Sequence, residues 1–209
     1  GEWIKIIAGD DILTDDCLEL FMDAANKDDK IKVLAGRFQS FTSVNGSFDL
    51  KEEKYPKEHT LYFFDLEPKQ QLKMLLTDCD FGFAPSAFVK KELFIKYGFY
   101  NEAFPFIEDL PYWVMLSEQG VKFYLVNHTV TYYRKGHGSM LQSNTNYFSI
   151  KYMQSFFDFK RKVVYKKVPK TNFLYYQGEF IEHLHYRFIL FFFKNKKTKI
   201  IFGGIEWCA

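Results

Sequence analysis

Trp3-Ile-Lys-Ile-Ile-Ala-Gly-Asp-Asp11 is an apolar run that stops at two adjacent carboxylates. The side chains from Trp3 to Ile7 are β-branched or bulky, which suits a buried strand, and Gly9 lets the backbone turn tightly before Asp10 and Asp11. The two acids are therefore expected to end a central strand. In open α/β sheets that edge is where ligands bind, and oxygen-rich clusters there suit a divalent cation holding phosphates. The plainer alternative gives one acid of the pair to the cap of the next helix.

The chain after the pair alternates strand and helix signals, the punctuation of an α/β fold. Thr14 is a good N-cap, with Asp15 and Asp16 in the first turn and Leu18, Phe21, Met22 and Ala25 recurring at helical spacing. Residues 31–41 carry alternating apolar side chains and read as a strand, whereas 42–60 are polar, contain Gly46 and Pro56, and read as a long surface loop. Pro68 opens a helix through Leu72, Leu75 and Leu76 that runs to Asp78-Cys79-Asp80. That second acid pair follows a helical pattern among turn residues, so it is set aside as a metal site. Residues 81–86 lead into a helix with Phe88, Val89, Leu93 and Phe94 apolar and Gly98 at its C-cap. Glu108 and Asp109 fall just before a short helix with Pro111 in its first turn and Gly120 past its end; capping is a sufficient bland role for at least one of them. Residues 121–126 and 129–133 read as two strands, and Arg134-Lys-Gly-His-Gly-Ser139 as a basic, glycine-bearing loop.

Charge divides the chain. Residues 1–149 hold 16 basic and 22 acidic side chains, a net of −6, while 150–209 hold 12 and 4, a net of +8, so the two parts are expected to have different jobs. The basic part reads as an aromatic-rich helix over 147–165, a break over 166–171 containing Pro169, and a second helix over 173–193 interrupted by Gly178, followed by four lysines within 194–199. Two readings compete for it: helices that dock on the first part, or a basic aromatic face on an anionic membrane. Cys17, Cys79 and Cys208 are widely spaced with no CxxC, which points away from a disulfide framework or thiolate zinc site and toward a reducing compartment. The longest apolar run, 188–193, is far too short to span a bilayer, so a cytoplasmic location, at most peripheral at the membrane, is expected.

Four segments in order resemble the second half of the inverting family 2 glycosyltransferases, which have the GT-A fold. They are Trp3-Ile with Gly-Asp-Asp11-Ile-Leu; Ala-Pro-Ser86-Ala-Phe with Lys90-Lys-Glu-Leu-Phe94; Tyr97-Gly-Phe-Tyr-Asn-Glu102 leading to Glu108-Asp109 and Trp113; and Tyr133-Arg134-x-x-His137-Gly-Ser139. The resemblance covers about residues 1 to 140. It implies an α/β architecture, a partial GT-A mixed sheet flanked by helices over 1–146, with a helical extension over 147–209. It also implies transfer of a sugar from a nucleotide-diphosphate sugar to a saccharide or lipid-linked acceptor, as in cell-surface polysaccharide synthesis.

By the same resemblance Asp10 and Asp11 match the last two acids of a motif that holds Mn²⁺ or Mg²⁺, with Ala8 where many members have a further Asp. His137 matches a loop histidine that often completes that site, and Arg134 is placed to contact the diphosphate. Glu108 and Asp109 occupy the family's base position, Asp109 being the choice, and Trp113 and Phe106 are candidate walls of the acceptor site, with Trp113 equally at home in a core. Asp10, Asp11, Asp109 and His137 are thus expected in one cleft. The family's nucleotide-binding beginning has no counterpart here, so the chain reads as a fragment, inactive alone and prone to self-association as a dimer. The alternative from another class is a non-catalytic module that binds a membrane surface or a protein. No nucleic-acid motif is recognised, so no nucleic-acid partner is expected.

Overall fold

The computed structural model describes residues 1–44, 47–77, 82–135 and 150–193, which form two compact units. The first takes residues 1–100 and 112–135; the second takes 101–111 and 150–193.

The first unit is α/β with a mixed sheet. Its strands are β1 (Trp3–Lys5), β2 (Ile12–Leu13), β3 (Val33–Val44), β4 (Ser47–Tyr55), β5 (Ala87–Lys90) and β6 (Phe123–Arg134). Their order is β1-β5-β3-β6-β2, with β4 also on β3. β3 and β6 run parallel from Val33↔Phe123 to Phe41↔Arg134, while every other pairing is antiparallel. Because β6 follows β3 along one side, β5 and β4 share the other side end to end. A parallel pair needs a long crossover, and residues 45–122 supply it.

Val33, Leu34 and Ala35 are all buried, so both faces of the sheet are covered there. On one face lies α1 (Cys17–Ala25), whose Cys17, Phe21 and Ala25 recur every fourth residue and pack with Leu34, Phe88, Val126 and Val130. Phe88 stacks on Phe21 at 4.8 Å and on Trp3 at 5.0 Å. A second aromatic cluster joins Phe63, Phe83, Trp113 and Phe123. Burying each such side chain contributes about 1.5–3 kcal/mol. The helices α2 (Pro68–Thr77) and α3 (Lys91–Tyr97) complete the crossover. Fully buried Gln71 of α2 donates to the carbonyls of Phe63 and Phe123 and accepts from the Phe123 amide, satisfying the backbone where β6 starts. Gly36 is required in β3 because a Cβ there would meet Val130 Cγ2 at 2.2 Å. Gly98 and Gly120, at φ 90° and 78°, end α3 and α4 (Asp109–Glu118) as the sequence predicts.

Several elements differ from expectation. The expected loop over 42–60 contains β4, whose polar residues are nearly all exposed: as an edge strand it draws backbone hydrogen bonds from β3, and Phe48 stacks on Phe41 at 4.6 Å. Phe88 and Val89, expected in a helix, form β5, buried between β1 and β3; a short apolar run fits either period. The two strands expected over 121–133 are one, β6. Its pairing with β3 shifts from Gly36↔Val126 to Arg37↔Thr129, so Asn127 and His128 bulge, and Asn127 accepts a bond from the Arg37 guanidinium at 3.2 Å. Thr14 does not cap α1. It is stitched to β6, its amide donating to the Val130 carbonyl and its hydroxyl to that of Thr129, while Asp16 stands at the N-cap without a side-chain bond. Asp78, Cys79, Asp80 and Cys208 lie outside the described residues.

In the second unit, α5 (Ile150–Phe159) passes through a wider π-type turn, Lys160–Val164, into the short α6 (Tyr165–Lys167). Asn172 accepts the Tyr175 amide at 3.3 Å and so caps α7 (Phe173–Phe193), which runs unbroken through Gly178. Phe157 stacks on Tyr186 at 4.4 Å, and Phe104, from the segment 101–111, meets Phe159 edge-on at 5.5 Å. Buried Lys160 donates to Glu179 at 2.8 Å and Glu182 at 2.6 Å, and Tyr165 donates to Glu179 at 2.7 Å. Burial alone would lower the Lys160 pKa, but these carboxylates outweigh it and hold the amine above its usual range. Among the described residues no helix is long and apolar enough to cross a membrane.

Candidate functional site

The acid pair does not end a central strand. β1 stops at Lys5 and lies, half-buried, at one end of the strand order, and β2 lies at the other end, so residues 6–11 carry the chain across the sheet. Asp10 and Asp11 sit in the turn that closes this crossing, where the Asp11 amide donates to the Ala8 carbonyl at 3.2 Å. The tight turn is the one Gly9 suggests; what moves the pair is that β1 is short and pairs only with β5.

β2 fixes the rest of the geometry. Ile12 pairs with Tyr132 and Leu13 with Thr131, which brings the end of β6 over the acid turn. The Arg134 amide donates to Asp11 Oδ1 at 2.9 Å, joining residues that belong to two separate sequence motifs. Burial raises the pKa of half-buried Asp11; the Arg134 amide pulls it down in part, and the neighbouring Asp10 charge pushes it further up. Tyr133 is held above its usual range first by burial and then by the charges of Asp11 and Asp10. Exposed Asp10 and exposed Arg134 face solvent.

Lys5 is a member of this neighbourhood that sequence reasoning passed over. Its ammonium donates to the carbonyls of Ile6 at 2.8 Å and Pro85 at 2.7 Å, tying β1 to the Ala-Pro-Ser86 segment. Burial brings its pKa down to about 8, against the opposing influence of Cys17 and Asp11. The signal was a lone cation inside an apolar run, which also fits a lysine whose tip reaches solvent.

Glu108 and Asp109 belong to the second unit, at the start of α4, where the macrodipole favours carboxylates. Glu108 is exposed and Asp109 half-buried. Two residues before them Phe106 adopts φ 73°, a conformation a bulky L residue rarely takes; such outliers gather at functional sites, where surrounding structure holds them. Phe106 is half-buried. Trp113 is 1% exposed and enclosed by Phe83, Tyr112 and Phe123, the core position its sequence context equally allowed, and its ring has no open face. His137 lies outside the described residues.

Among the described residues no group of three His, Cys, Asp or Glu side chains stands together as a metal cage. Asp10 and Asp11 offer two carboxylates, the protein share typical of a Mg²⁺ ion that draws its other ligands from water and substrate phosphates. A scan against protein-family models gives no match for this chain, and a search of curated proteins gives none either.

Proposed function

We propose that the chain is part of a GT-A glycosyltransferase of the inverting family 2 type, using a nucleotide-diphosphate sugar and a saccharide or lipid-linked acceptor. The observation that supports this reading is the bond from the Arg134 amide to Asp11: the acid motif and the Tyr-Arg-x-x-His motif, 123 residues apart, meet at one turn. Asp10 and Asp11 are the residues to hold Mn²⁺ or Mg²⁺ with the diphosphate, and His137 follows Arg134 closely enough in sequence to join them. The cation when bound would offset charge developing on the departing diphosphate. The Arg134 guanidinium would hold the phosphate oxygens. Asp109 would take the proton of the acceptor hydroxyl as its oxygen bonds to the anomeric carbon and the bond to the diphosphate breaks.

Two measurements test this. Calorimetry on a preparation that transfers sugar should show Mn²⁺-dependent binding of a nucleoside diphosphate that Asp10→Asn with Asp11→Asn abolishes; binding that the double variant leaves unchanged overturns the assignment. In a preparation that transfers sugar, Asp109→Asn should lower turnover about 10²-fold or more with donor binding nearly intact, because a base acts in the chemical step. Undiminished turnover would remove Asp109 from that role.

A further inference from the structure

α7 turns both of its carboxylates inward and most of its large apolar side chains outward. Glu179, Glu182 and Tyr186 face the interior of the second unit, where the two carboxylates grip Lys160 and Tyr186 stacks on Phe157. The outward side carries Phe173, Phe180 and Leu184, with Leu174 and Ile181 beside them, at the seven- and four-residue spacings of one helical face. These five are 74%, 63%, 51%, 80% and 61% exposed in that order. A helix facing water carries its apolar residues inward; here the buried ion triad sets a rotation that holds both carboxylates inside and leaves these five large apolar side chains outside, with Gln177, His183 and Arg187 exposed among and beside them.

We infer that α7 docks, axis in plane and apolar side down, on an anionic lipid surface. At 21 residues it is about 31 Å long, enough to lie along a membrane as an interfacial helix. Charge selects the occupant. Between 150 and 193 the acids are Asp158, Glu179 and Glu182, and each is engaged: Asp158 by Arg161 and Lys162, the other two by Lys160. No acid remains on the outward side of α7. Exposed Lys166 and Lys170 precede the helix, and the sequence follows it with Lys194, Lys196, Lys197 and Lys199. A second copy would bring these lysines against their own kind, whereas anionic headgroups complement them on both flanks.

Sedimentation of the full chain with vesicles of phosphatidylcholine, with and without phosphatidylglycerol, tests the inference. The expected result is binding to the mixed vesicles only, weakened about tenfold or more both by raising salt to about 0.5 M and by the double variant Phe180→Ser with Leu184→Ser. Both positions are exposed, so the variant keeps the fold, which its circular dichroism checks. As an independent reading, Phe180→Trp should show a blue-shifted emission on adding mixed vesicles. Absence of binding, equal binding to both vesicle types, or no shift of the Phe180→Trp emission overturns the inference. A double variant that loses self-association while sedimenting with vesicles as the parent does assigns the face to a second copy instead.

Discussion

Lys5 sits where its charge is least welcome. With its amine buried against the Ile6 and Pro85 carbonyls, its pKa lies at about 8 instead of the usual 10.5. A base whose folded pKa is depressed binds fewer protons in the folded state than in the unfolded chain between those two values. Stability should therefore rise as pH climbs from about 8 to 10.5, the full penalty being present below 8. Lys5→Met is expected to be more stable than the parent at pH 7, by on the order of 2 kcal/mol, and to lose most of that advantage by pH 10.5. Denaturant unfolding of both proteins at several pH values checks this, the difference between the two proteins being the quantity to read. An advantage independent of pH would mean that Lys5 ionisation is not what the substitution removes. Nothing local in Trp-Ile-Lys-Ile-Ile announces this. The burial is tertiary, one of the lysine's hydrogen-bond partners, Pro85, lying eighty residues on; Asp11 and Arg134 were each singled out in the sequence, but the bond between them was not.

Elements marked by local chemistry were legible. α1 follows from its apolar spacing, α2 from Pro68, and the ends of α3 and α4 from Gly98 and Gly120. Elements defined by distant partners were not. β4 is polar and exists because β3 lies beside it, β5 is too short to show its period, and the join that makes β6 one strand is a bulge answered by Arg37. Gly178 misled in the same way. A glycine inside a helix costs about 1 kcal/mol, yet Lys160 and Tyr165 grip α7 through Glu179 and carry it past that point. A Cβ at 178 meets nothing within 4 Å, so Gly178→Ala should raise the stability of the helical unit by about 0.5–1 kcal/mol, measured by chemical denaturation followed at 222 nm. A loss of stability instead would show that the backbone there is held by something other than helical propensity.

Across the whole chain, sequence order and spatial order part company at residues 101–111. This segment lies within the first unit's sequence but packs with the second, with Phe104 and Ile107 both 4% exposed and Phe104 against Phe159. Charge and composition, which divide the chain near 147, give no hint of this, because they report averages and the tie is made by individual side chains, Phe104 against Phe159 and beneath the Lys162 ammonium. Removing residues 147–209 should therefore uncover Phe104 and Ile107 and leave a protein that binds a hydrophobic dye and aggregates more readily than the full chain. A truncated protein as soluble as the parent, with an unchanged unfolding temperature, would show that the segment holds itself. The same interleaving bears on synthesis. Phe104 leaves the ribosome well before Phe159 exists, and at roughly 5–20 residues per second the intervening stretch takes about 3–11 s to make. For an interval of that length the nascent chain displays an aromatic side chain whose neighbour has not yet emerged, a window in which a chaperone of nascent chains would find something to hold.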